Sequence, residues 1–137
     1  MATPLIKPLD HTKNSYIKAQ VLALNEHIEE DITLLIEGTI INCFVSYSPH
    51  DIEVGKIYDV ELTMNLSDDY EIERVEPRTP LIEKITPGYA YLLYGNLNDT
   101  QFQSFVSLND EDIHYDHPEC NERFIKLKVD RIDVSFR

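Results

Sequence analysis

Residues 54–66 set the tightest constraint on the fold. Val54, Lys56, Tyr58, Val60, Leu62, Met64 and Leu66 alternate with Gly55, Ile57, Asp59, Glu61, Thr63 and Asn65. A period of two places the two series on opposite faces of an extended chain, whereas a helix would need a period of 3.6. The segment therefore predicts a strand with one apolar face. Ser48-Pro49-His50-Asp51 leads into it as a turn, and Asn65 to Asp69 leads out, where short polar side chains can bond their own backbone. Tyr70 to Val75 reads as its antiparallel partner, stopped by Pro77 and Pro80, which lack the N–H a ladder needs.

The rest of the chain speaks the same language. Tyr16 to Leu24 and Ile32 to Tyr47 are rich in β-branched and aromatic residues and predict strands, the second long and bent at Gly38. Tyr89 to Leu97 and Phe102 to Leu108 flank Asn98-Asp99-Thr100 and predict a hairpin. Both faces of its first arm are apolar, so that arm is either a covered central strand or an exposed patch. In the last segment Ile125, Leu127 and Val129 share one parity and Ile132, Val134 and Phe136 the other. The apolar face thus changes side near Asp130-Arg131, through either a bulge or a bend between two short strands. Helix is scarce: Leu81 to Ile85 could form about one turn between Pro80 and Pro87, and Asn109 to Asp112 another.

About seven strands with frequent turns predict an all-β fold: an antiparallel, partly closed barrel or a small sandwich, with little helix. Ile32 to Tyr47 followed by Val54-Gly55-Lys56-Ile57-Tyr58-Asp59-Val60 resembles the opening of OB-like barrels. That resemblance implies a Gly-bent first strand and a Gly-Lys turn into the second. It implies no activity.

Composition bounds the rest. Apolar residues make up 42% of the 137, enough for one core without disulfides or a structural metal. Charge is even along the chain, 4 basic against 11 acidic side chains in residues 1–68 and 8 against 14 in 69–137, so nothing marks a boundary. The organisation expected is a loose N-terminal segment, residues 1–14, and a single β domain, residues 15–137. A net charge of −13 argues against nucleic acid as partner. No apolar run approaches the roughly 18 to 20 residues of a membrane-spanning helix, and no membrane partner is expected. Cys43 and Cys120 make no disulfide framework, and Lys7 and Asp10 interrupt any secretory leader, so a cytoplasmic home is the expectation.

Motifs for chemistry are largely missing. Only Gly38, Gly55, Gly88 and Gly95 occur, too dispersed for a phosphate cradle, and there is no C-x-x-C, G-x-S-x-G or H-E-x-x-H. No catalytic residue and no cofactor is assigned. Paired carboxylates could act as acid and base, but acids such as Asp59 and Glu61 stand on polar strand positions, away from the burial that such work requires. His11, His27 and His50 read as surface residues. His114, His117 and Cys120 recur at spacing three within Asn109 to Glu122, and offer an alternative reading as metal ligands in a metal-assisted enzyme. Zinc sites usually draw ligands from two separated segments, which weighs against a wholly local set.

What remains distinctive is the acid, gathered in Glu29-Glu30-Asp31, Asp68-Asp69-Tyr70-Glu71 and Asp110 to Glu122, each at a predicted strand end. Carboxylates that steer, beside aromatics that anchor, compose an interface for a basic protein. The residues assigned to it are Asp68, Asp69, Tyr70, Glu71, Asp110, Glu111, Asp112, Tyr115, Asp116 and Glu119. In size, charge and lack of catalytic motifs the chain resembles small bacterial immunity proteins. The resemblance implies a non-catalytic inhibitor that occludes the cationic site of a toxin or effector enzyme. A third reading is a scaffold module that associates through the aromatic hairpin, Tyr89 to Phe105.

Overall fold

A computed structural model describes residues 16–137; the expected loose head, residues 1–14, lies outside them, as does His11. Among the described residues eleven strands form two sheets. The first contains β1 (Ile17–Leu24), β2 (Asp31–Ile36), β3 (Thr39–Tyr47), β4 (Ile57–Asn65) and β11 (Arg131–Phe136), closed into a barrel in the order β1-β2-β3-β11-β4. Antiparallel ladders join β1 to β2, β2 to β3, β4 to β11 and β1 to β4, while β3 and β11 run parallel with Val45 opposite Val134. Inward residues alternate as the pattern requires: Ile32, Leu34 and Ile36 on β2, Val60, Leu62 and Met64 on β4, and Ile132, Val134 and Phe136 on β11 are all buried. Each such side chain contributes about 1.5–3 kcal/mol by leaving water.

The second sheet contains β5 (Ile72–Arg74), β6 (Ile82–Lys84), β7 (Tyr91–Asn98), β8 (Gln101–Gln103), β9 (Ser107–Asn109) and β10 (Arg123–Val129), with β7 central. One edge of β7 pairs with β10; the other pairs first with β6, at residues 91–93, and then with β8, at residues 96–98. One buried apolar cluster runs through both sheets. Their joint is also polar: the Asn42 N–H of β3 donates to the Tyr91 hydroxyl at 2.8 Å, and the Tyr89 hydroxyl donates to Asp31 at 2.9 Å. A single helical turn, α1 (Ile113–Asp116), precedes a 3-10 turn at Pro118–Cys120. No helix among the described residues is long and apolar enough to cross a membrane.

The all-β class and the barrel stand as expected, but several assignments change. The strand predicted over Ile32 to Tyr47 is the β2–β3 hairpin. Glu37 and Gly38 turn it with φ of 50° and 78°, and a two-residue turn positive at both positions matches the twist of the flanking strands. Tyr70 to Val75 does not pair with β4, whose edges are taken by β1 and β11. Barrel closure consumes both, and β5 pairs with β10 instead, Arg74 opposite Ile125. Leu81 to Ile85 is no helical turn: β6 lies along the free edge of β7, Ile82 opposite Leu93, and a ladder there outweighs the single hydrogen bond of an isolated turn. Asn109 to Asp112 is likewise not helical; the helical turn starts at Ile113. The parity change at Asp130 is a passage between sheets, since β10 belongs to the second sheet and β11 to the barrel. The count rises from about seven to eleven because β5, β6, β8 and β9 have three residues each.

Candidate functional site

Two of the three acidic segments, about forty residues apart in sequence, meet in space. The β4–β5 connection, residues 66–71, carries Tyr70 against the β9–β10 connection, residues 110–122, where the Tyr70 ring meets His117 edge-on at 5.3 Å between centroids. The Tyr70 hydroxyl oxygen is buried without a hydrogen-bond partner. Burial, followed by the negative charges of Asp116, Asp110 and Asp112, pushes its phenol up to about 12. Tyr70 is half-buried, its ring packed against the apolar core between the two acidic loops.

Local hydrogen bonding holds the β9–β10 connection in shape. Asp110 Oδ1 accepts the N–H groups of Asp112 at 2.9 Å and Ile113 at 3.0 Å, an arrangement short acidic side chains favour ahead of a helical turn. Ile113 is fully buried and anchors α1. Further along, Asn121 Nδ2 donates to Asp99 at 3.0 Å, the Asp99 N–H returns a bond to Asn121 at 2.8 Å, and the Glu122 N–H donates to the Leu97 carbonyl at 2.6 Å. On this frame Tyr115 stands 81% exposed, its ring stacked on His114 at 5.8 Å. Glu111, Asp112 and Asp116 are exposed around it, as are Asp68, Asp69 and Glu71 on the neighbouring loop, with Glu71 3.7 Å from Lys128.

The alternative ligand set does not come together. Cys120 is buried, His114 Nδ1 is buried without a partner, and His117 Nδ1 faces Glu119 at 3.5 Å. Among the described residues no group of three or more His, Cys, Asp or Glu side chains could hold a metal ion. Both thiols are free. Burial pushes the Cys43 thiol up, with Asp133 and Asp31 adding to it, and burial followed by Glu119 raises Cys120. Neither has the surroundings of a reactive thiolate.

The third segment lies apart. Asp31 accepts hydrogen bonds from Asn42 Nδ2 at 2.6 Å and Tyr89, so it fastens the two sheets, a role its place in an acidic run did not signal. Among the described residues no hydrogen bond or ion pair joins Glu29, Glu30 or Asp31 to the other acidic segments. The aromatic hairpin is not a free edge either: Tyr91, Leu93, Tyr94, Leu97 and Phe102 are buried.

Together these features define an all-β protein with a closed five-stranded barrel, a flanking sheet, and a carboxylate surface built on the loops of that sheet. Residues 15–137 match the model of the family described as "Uncharacterised conserved protein UCP019853", and the chain belongs to that family. No curated protein and no solved structure matches it.

Proposed function

We propose that this chain is a non-catalytic acidic binding protein that neutralises a basic partner, in the manner of a bacterial immunity protein acting on a toxin or effector enzyme. The observation that carries this reading is the meeting of two sequence-distant acidic loops around a shared Tyr70, with Tyr115 raised 81% exposed among them. An exposed aromatic on a loop rich in carboxylates has what a basic surface needs, a desolvating anchor and long-range steering. The two buried free thiols suit a reducing cytoplasmic home.

The test is capture on the immobilised chain followed by mass spectrometry, repeated over a range of salt. The expected result is one dominant basic protein whose association slows steeply as ionic strength rises. Glu111→Lys/Asp112→Lys/Asp116→Lys and Tyr115→Ala should each abolish or sharply weaken that capture without lowering the melting temperature, because all four side chains are exposed. A dominant acidic partner, or capture indifferent to these changes, would overturn the reading.

A further inference from the structure

At the barrel end where β1 stops and β2 begins, the β1–β2 and β3–β4 connections bound a groove of about 380 Å³, within the roughly 300–1,000 Å³ of small-ligand clefts. Its apolar lining includes Ile32, which is buried, and Val45 and Ile52, which are half-buried, while Leu24 and Tyr47 in the same lining stand 44% and 58% exposed. Three exposed carboxylates line it, Glu29, Glu30 and Asp51, and no Lys or Arg does. Among the described residues none of the three forms an ion pair.

Both walls hold their shape without help. In the β1–β2 connection Asn25 Oδ1 accepts the N–H groups of His27 at 2.7 Å and Ile28 at 2.9 Å, and the Glu30 carbonyl accepts the Val45 N–H at 2.7 Å. Across the groove, Ser48 Oγ donates to the His50 carbonyl at 2.5 Å, and the His50 ring stacks on Tyr58 at 5.5 Å. A cleft fixed in advance loses little conformational freedom on binding.

An apolar bed beside carboxylates that make no ion pair among the described residues, next to an exposed tyrosine, selects a long aliphatic stem ending in a planar cation. Arginine is the side chain with that form: methylenes for Val45 and Ile52, a forked donor for two carboxylates, and a face to lay on Tyr47. We propose that this groove binds an extended arginine-bearing segment of a partner protein. None of its residues belongs to the 68–71 or 110–119 surface, so the inference stands apart from the function proposed above.

The experiment is heteronuclear amide NMR of the full chain titrated with a short Arg-Gly repeat peptide, with spermine as a cation lacking the guanidinium. Shifts should concentrate in residues 24–32 and 45–52. Glu29→Gln/Glu30→Gln/Asp51→Asn should weaken binding about tenfold, and Tyr47→Ala should weaken it too. Glu111→Gln/Asp112→Asn/Asp116→Asn, which disarms the other surface, should change it by less than about twofold. Shifts centred on 110–119, no shifts in the groove, or spermine binding as tightly as the peptide would each overturn the proposal.

Discussion

At the scale of single residues, Tyr70 carries a measurable signature. Its hydroxyl is buried without a partner and its phenol is pushed from 10.0 up to about 12 by burial and three aspartates. The folded state therefore holds this proton more tightly than the unfolded chain does. Its contribution to stability is complete below pH 10 and is lost as pH rises through about 12. Tyr70→Phe keeps the ring against His117 and removes an unsatisfied hydroxyl, a change that ranges from neutral to stabilising. Thermal melts at neutral pH should show the variant no less stable than the parent, and melts repeated between pH 10 and 12 should show a shallower loss. An equal loss in both proteins would mean that the phenol titrates no differently in the folded chain.

Among elements, the second sheet depends on one small residue. Gly95 sits where the edge of β7 passes from β6 to β8, and a Cβ there would collide with the carbonyl of Gln103. Backbone cannot yield as a flexible side chain can. Gly95→Ala should destabilise the protein by about 2 kcal/mol or more, visible as a lowered denaturant midpoint with an unchanged slope. The β9–β10 connection depends on Asp110 in a different way. Its carboxylate holds two backbone N–H groups, so Asp110→Ala should cost about 1 kcal/mol, whereas Glu111→Ala, an exposed neighbour, should cost almost nothing. Chemical denaturation of the two variants separates a loop-shaping acid from one that only carries charge.

For the molecule as a whole, net charge dominates. At −13 the chain repels itself, while its ion pairs, such as Lys18–Asp59 at 2.7 Å and Lys126–Glu73 at 2.8 Å, lie at or near the surface and contribute little each. Screening should therefore stabilise the fold. Raising NaCl from about 0.01 M to about 1 M shortens the screening length from about 30 Å to about 3 Å, and the melting temperature should rise by several degrees. A fall would show that attractive pairs outweigh the repulsion.

Alternation of side chains was enough to read the β class, the inward face of β4 and the loops that carry acid, because which face a strand residue takes is a local property of an extended backbone. The break at Asp130 was visible as a parity change, but parity cannot tell a bulge from a change of sheet. Partners lay beyond reach. Whether residues 72–74 join β4 or β10 depends on which edges the closing barrel leaves free, and three-residue strands such as β6 extend only because β7 lies alongside. The same division governs the candidate sites. Local composition marked Asp68 to Glu71 and Asp110 to Glu119 as acidic. Tertiary packing set Tyr70 between them, turned Asp31 into a fastener between sheets, and shaped a groove from residues 24–52. Proximity between distant segments is created by burial of apolar faces in three dimensions, and no short window of sequence contains it.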